Sequence, residues 1–484
     1  MVYLCLLFLL ASALLGFQLG KSGLLDPDEP FYSLTAKEML EHHDPWTPRM
    51  FGEPQFEKPI FFYWVLYASF WFFGISEFSA RLGPCVAGIL TVMVVYWWGR
   101  ILFRRPEPAF LAAAILASSG QFIVLSRIVL TDIFLCLFVT TALASFSWGY
   151  ANPARRVFAW RFFFVFAGLG FLTKGPLGLL IPLSGIIIYA ILSGERWILR
   201  RFPWGSGLLI FSAVSFPWYI FMTKIYGSGF LGHFFIHENV RRFFVAEHRG
   251  MDRWYFYPLV FMFGFFPWSA FIAAGFSHAL SSVRKRVSKK TSIFLLSIFF
   301  TPFFFFMLAK SKLMSYIFPL YPVAALLAGA WAWRIYRAFR LGYSPRPVFG
   351  LMVLAFLGLM PAALVAGAYF FAVEQKLSIL GSIVAIALTL IPLSWLGLFF
   401  FWSKKLPVAL ATMLVAILSF SSLSFGFMMP AAGAAFSSKG WAEDYGHLMN
   451  RFPDSLFLAS KMFVRGMTYY TGSKNMGVFS GELK

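Results

Sequence analysis

The feature that most constrains this chain is its succession of apolar runs, each long enough or nearly long enough to cross a bilayer. About 20 apolar residues span a hydrocarbon core roughly 30 Å thick. Such runs occupy residues 1–19, 79–101, 109–126, 131–149, 158–173, 176–194, 205–222, 257–279, 291–309, 316–333, 348–372, 378–402 and 406–429. In lipid a spanning segment must satisfy its own backbone polar groups, which leaves helices as the solution for runs of this length. The expected fold is an all-α polytopic membrane protein of about 13 transmembrane helices. With 60% hydrophobic residues, 13% charged and a mean hydropathy of +0.74, the chain lies far from soluble domains at about 45–50% apolar and about 25% charged.

The run 60–74 is apolar but short and crowded with Trp and Tyr, as segments lying in the membrane interface often are. Parity decides its place. If it does not span, six loops rich in Arg and Lys share one side; they contain Arg100, Arg155, Arg196, Arg284, Arg334 and Lys404 among others. The positive-inside rule makes that side cytoplasmic. Of the 20 acidic residues, only Glu107 and Glu195 then fall on it. The net charge of +21 thus reflects topology rather than nucleic-acid binding. Residues 1–19 lack a basic start and a small-residue cleavage site, so they are expected to remain as the first span. The protein is expected in the cell inner membrane, its C-terminus and site facing the periplasm.

Three segments are long enough to build something on the outer side: 20–78, 223–256 and 430–484. Residues 1–429 are expected to form the transmembrane catalytic domain. The tail 430–484 is expected to be a periplasmic segment, at about 55 residues short for an independent fold. Thr35-Ala-Lys-Glu38 has capping-box spacing and predicts a short surface helix beginning there, with 60–74 as a second juxtamembrane helix. Cys5, Cys85 and Cys136 lie in apolar stretches and are expected to pack rather than to bridge or bind metal.

Ionisable residues gather where the spans meet the outer face. Asp26-Pro-Asp28-Glu29 puts three carboxylates in four residues, whose repulsion must be offset by cations, protons or donors. This is either a solvated turn or a general base, sugar ligand or metal ligand. Glu57-Lys58 precedes the aromatic interfacial segment, where a lysine can meet a lipid phosphate. Arg127 and Asp132 flank one tight turn. Lys174 stands in Thr173-Lys-Gly-Pro176, and Lys310, Lys312 and Tyr316 occupy another junction. Singly, each could be a snorkelling anchor; their collection on one face points to a shared site. In 223–256, His233 and His237 have the i,i+4 spacing of a helical metal pair, but no zinc signature accompanies them. No nucleotide-binding motif is present. Cations that neutralise a phosphate, with carboxylates that orient or deprotonate a nucleophile, suit a phosphate-bearing lipid substrate.

These residues, in this order, resemble the bacterial 4-amino-4-deoxy-L-arabinose (aminoarabinose) transferases of lipid A, and more widely the protein O-mannosyltransferase-like superfamily of the GT-C fold. Asp28-Glu29 with Tyr32 is similar to the first-loop acidic motif. Trp46–Arg49, Phe56–Pro59 and Phe73–Arg81 resemble its continuation; Thr131-Asp132, Thr173–Pro176, and Lys312 through Tyr316 to Pro322 resemble later motifs. The resemblance covers roughly residues 1–330. It implies an inverting transfer of a sugar from a polyprenyl-phosphate donor, such as undecaprenyl phosphate, to a periplasmic acceptor, lipid A in the aminoarabinose case. It implies Asp28 as principal catalytic carboxylate, with Asp132 second and Glu29 beside them. Lys58, Lys174, Lys312 and Tyr316 would hold the donor phosphate, with Arg127 and Lys310 as further cations. Glu57 would bind one divalent metal ion. Where the family has Glu-His in a later loop this chain has Glu238-Asn239, which leaves His237 as the partner for Glu57. Another sugar, a protein or surface-glycan acceptor, and a transporter or flippase of lipid-linked sugars are the alternatives. The gathering of ionisable groups at loop edges, and not mid-membrane in inverted repeats, favours the enzyme.

Overall fold

The structure, a computed structural model, describes residues 1–484 except 228, 233, 235–252, 286–288, 344–349, 351–352, 375–378, 452–456, 473–475 and 480–484. The chain begins with α1 (Val2–Gly16), then enters the first outer loop. That loop carries α2 (Asp28–Glu41), a small antiparallel hairpin of β1 (Arg49–Met50) and β2 (Glu53–Pro54), and α3 (Phe61–Phe73). Membrane helices follow: α4 (Glu77–Phe103), α5 (Pro106–Ala117), α6 (Gly120–Leu125), α7 (Asp132–Ala151), α8 (Arg156–Lys174) and α9 (Leu177–Leu192). After the short α10 (Trp197–Arg201) come α11 (Trp204–Tyr226) and α12 (Gly229–Leu231). The bundle continues with α13 (Phe256–Gly264), α14 (Ser269–Arg284), α15 (Lys289–Leu308), α16 (Tyr321–Arg340), α17 (Met360–Glu374), α18 (Leu380–Trp402) and α19 (Leu406–Leu423). The C-terminal part contributes α20 (Met429–Phe436), α21 (Lys439–Arg451), β3 (Phe457–Ser460), α22 (Val464–Thr471) and β4 (Met476–Phe479), with β3 and β4 paired in parallel.

The chain is a polytopic, all-α membrane protein, and each of the thirteen apolar runs is helical over most of its described residues. Length and composition alone pick out fewer than thirteen spans. Among the described residues eight helices are long and apolar enough to cross a bilayer, or nine if α13 and α14, bent by 116°, form one broken span. Others are too short alone: α1 has 15 residues and α5 has 12, about 22 and 18 Å at 1.5 Å per residue. The run 109–126 breaks at Ser118-Ser119, whose hydroxyls turn back onto Ala114 and Ile115 carbonyls. The segment 60–74 is indeed a helix of 13 residues that buries Phe62, Tyr63, Leu66 and Phe70 and exposes Trp71, Phe72 and Phe73.

Pairs across loops tie the ends of neighbouring segments together. Lys290 on the basic face reaches Glu195 at 2.7 Å, and the Lys404 ammonium donates to the Gly342 carbonyl. At the opposite end Lys439 reaches Glu77 at 2.8 Å.

Two local devices fix the outer ends of the helices around the site. The α8–α9 turn needs Gly175 at φ +66°, and α8 and α9 then close on Gly170 and Gly178, where a Cβ on Gly178 would meet backbone at 2.2 Å. That turn presents Lys174. The capping-box reading at Thr35 is corrected: α2 starts seven residues earlier, at Asp28. Thr35 lies inside it and donates to the Phe31 carbonyl, and Glu38 instead accepts from the Phe51 and Gly52 amides of the hairpin turn at 2.8 and 2.9 Å. A carboxylate that can anchor a neighbouring turn need not cap its own helix.

Candidate active site

A cavity of about 990 Å³ opens where α2, the ends of α7 and α8, α13 and the segment after α15 converge. Asp28, Tyr32, Glu57, Lys58, Asp132, Lys174 and Tyr316 line it together. Seven residues singled out along some 290 positions of sequence therefore share one wall system.

The three clustered carboxylates are sorted by what they face. Asp26 is buried and its Oδ2 accepts from the Ser438 amide at 2.7 Å and the Ser438 hydroxyl at 2.5 Å. Glu29 is 2% exposed and turned from the cavity; the Arg81 guanidinium donates to both its oxygens at 2.9 and 2.6 Å, and the Leu25 and Val129 amides donate as well. A carboxylate so fully engaged has no lone pair to spare for substrate, so the catalytic part expected of Glu29 is corrected to a structural one. Asp28 alone is open to the cavity. The surrounding protein raises its pKa mainly through desolvation, with the Asp132 charge pushing the same way; Arg465 and Lys58 pull it down.

Across the cavity Asp132, the first residue of α7, forms a 2.6 Å ion pair with Lys174, the last of α8. The Lys174 ammonium lies 5.1 Å from the centre of the Tyr316 ring, within cation–π range. Lys58 contributes a further cation to the lining. The other expected cations lie elsewhere. Arg127 donates to the Leu14, Leu15 and Phe17 carbonyls at the end of α1 and stacks 3.8 Å from the Phe425 ring, where it satisfies the open carbonyls of a helix terminus. Lys310 is exposed and outside the lining. Lys312 is 3% exposed and donates to the Arg253 carbonyl at 3.2 Å; the lining takes Leu313–Tyr316 but not Lys312.

Sequence reasoning missed Gln121, Tyr255 and Arg465, which also border the cavity. Gln121 donates to the Met314 carbonyl and accepts from the Tyr321 hydroxyl; a lone amide inside an apolar run was its signal. Arg465 arrives from the C-terminal segment and carried no signal at all. Glu57 lines the cavity, but His233, His237 and most of their loop lie outside the described residues. Among the described residues no three His, Cys, Asp or Glu side chains gather as a metal site.

The fold is of the GT-C class, by its likeness to two solved structures. The structure superposes on ArnT from Cupriavidus metallidurans bound to undecaprenyl phosphate with a TM-score of 0.78 at 21% identity, over 97% of this chain and 84% of that one. It also matches the Archaeoglobus fulgidus oligosaccharyltransferase with a TM-score of 0.61 at 14% identity, over 98% of this chain and 64% of that one. More particularly, residues 2–228 match the family described as dolichyl-phosphate-mannose-protein mannosyltransferase. The chain is similar to proteins named undecaprenyl phosphate-α-4-amino-4-deoxy-L-arabinose arabinosyl transferase. It is 32% identical to that of Edwardsiella ictaluri over 63% of this chain, and 30% identical to that of Yersinia enterocolitica over 64% of this chain. It spans 55% of the length of each of these relatives.

Proposed function

We propose that this protein is an inverting glycosyltransferase of the inner membrane that moves a sugar from a polyprenyl-phosphate-linked donor to an acceptor on the periplasmic side. Aminoarabinose-type transfer to lipid A is the form we favour. The observation that carries it is the shared cavity, in which Asp28 forms no ion pair among the described residues while Lys58, Lys174 and Tyr316 stand on the same lining. Residues 1–429 would form the catalytic unit and 430–484 a segment that covers it.

The polyprenyl chain stays in the bilayer, so its phosphate lies at the level of the helix ends, where Lys58 and Lys174 can neutralise it. The acceptor oxygen attacks the anomeric carbon, and the bond to the phosphate breaks with its electron pair leaving on polyprenyl phosphate. Charge-assisted contacts from the lysines stabilise that leaving group. If the acceptor is a hydroxyl, Asp28 takes its proton; if it is an ionised phosphate, Asp28 orients it. Attack opposite the departing phosphate inverts the anomeric centre. Asp132 holds Lys174 in place through their ion pair. Glu57 would be the described residue best placed for a divalent ion, and no step here depends on one.

A flippase would move the intact donor and release no polyprenyl phosphate. The deciding experiment supplies purified protein with undecaprenyl-phosphate-aminoarabinose and a lipid A acceptor, then follows free undecaprenyl phosphate and product mass. Stoichiometric release and transfer are expected. Translocation of intact donor without release would refute the enzyme reading.

A further inference from the structure

The acceptor side of the cavity has its own candidate ligand, and it comes from outside the membrane bundle. Arg465 is the second residue of α22, which packs on α2. Its guanidinium lies 4.8 Å from the Phe31 ring centre and borders the cavity beside Asp28. Among the described residues it makes no hydrogen bond and no ion pair; its relations are electrostatic, to the ring, to Asp28 and to Tyr63. Five N–H donors in a fixed fork therefore remain available at the cavity wall.

The position is held from several directions. Asp26 accepts from Ser438, the Lys37 ammonium donates to the Tyr469 carbonyl at 2.7 Å, and the Tyr470 hydroxyl accepts from the Leu24 amide at 2.7 Å. Gly466, next to Arg465, sits against Asp26 so closely that a Cβ there would meet Oδ1 at 2.5 Å. The segment is thus clamped onto the first loop at the residue that delivers Arg465.

The two sets of cations have different origins. Lys174 belongs to a membrane helix end and Lys58 to the loop entering α3, the level at which a lipid-anchored phosphate must lie. Arg465 descends from the extramembrane segment onto the α2 side, next to the carboxylate that meets the incoming group. A guanidinium over a phenyl face, free to form two parallel hydrogen bonds, matches a phosphate better than a neutral hydroxyl. We propose that Arg465 recognises a phosphate group on the acceptor and holds it beside Asp28, so that the C-terminal segment selects a phosphorylated glycolipid. The inference rests on the glycosyltransferase reading and adds the acceptor's recognition to it.

The test uses the full chain in lipid nanodiscs and direct binding rather than turnover. Three probes are compared: an acylated diglucosamine phosphate, the same lipid after phosphatase treatment, and undecaprenyl phosphate. The parent protein is expected to prefer the phosphorylated glycolipid at least tenfold. Arg465→Ala should abolish that preference yet bind undecaprenyl phosphate within twofold of the parent, and Arg465→Lys should keep part of the preference. Absence of the preference in the parent, its persistence in Arg465→Ala, or an equal loss for undecaprenyl phosphate would each overturn the proposal. So would greater amide exchange across α22 in both variants with equal loss of every ligand, since that marks a structural part. A parent that prefers the phosphorylated glycolipid but ignores undecaprenyl phosphate would support Arg465 and count against the donor reading alone.

Discussion

Asp28 and Glu29 are adjacent in sequence and opposite in use, because the first turn of α2 points one at an open cavity and the other at Arg81. The consequences can be separated by measurement. Glu29→Gln leaves the Arg81 guanidinium, 4% exposed, without its counter-charge, and breaking a buried pair in this way costs about 3–5 kcal/mol. Thermal unfolding in detergent should therefore move well down in Glu29→Gln, with little recovery from adding donor. On the cavity side, Lys58→Ala and Lys174→Ala should each weaken donor binding roughly ten- to hundred-fold, the equivalent of about 1.5–3 kcal/mol for a charge-assisted contact. Donor titrations that overlay the parent would make the two lysines mere anchors. The sequence spacing showed that three acids needed partners; which acid would be left open depended on Arg81 and Ser438, 52 and 412 residues away from their partners.

Among the elements, the C-terminal segment departs most from what its sequence suggests. Its polarity and length read as a tail, yet α21, α22 and the β3–β4 pair form a small lid of structure seated on α2. Nothing in residues 430–484 alone signals this, because the seat consists of first-loop groups such as Asp26, Lys37 and Glu77. The juxtamembrane α3, by contrast, was legible from its Trp and Tyr content and its shortness. Docking of the lid should depend on pH. Burial raises the Asp26 carboxyl to about 6, against hydrogen bonds from Ser438 that lower it. A folded pKa above the unfolded value means that the docked form binds the proton better, so docking is strongest below about pH 4 and weakens as pH rises to about 6. Amide exchange of α22, corrected for its intrinsic pH dependence, should show that trend. Asp26→Asn should flatten it, and a parent lid equally protected at pH 4 and pH 7 would refute it.

For the whole molecule, the apolar runs made the helical bundle readable, and the segregation of charge is the basis for assigning its two faces. The breaks within it were not, since the Ser118-Ser119 interruption and the 116° bend between α13 and α14 depend on contacts with other helices. The two-faced threading has its own check. In a Cys5→Ser background, Ser281→Cys and Ser403→Cys should be protected from an impermeant maleimide in intact cells, while Glu53→Cys and Lys461→Cys should react. A shared labelling pattern would dismantle the common site. The central claim is that Asp28 performs the transfer within the cavity. Its most direct test is the initial rate of polyprenyl phosphate release from one defined lipid-linked sugar, with parent, Asp28→Asn and Asp132→Asn proteins matched for folding. Asp28→Asn should unfold at the parental temperature and lose about 10²–10⁴ in rate, as removal of an acid–base group does. Near-parental release by Asp28→Asn, with Asp132→Asn inactive, would contradict the account.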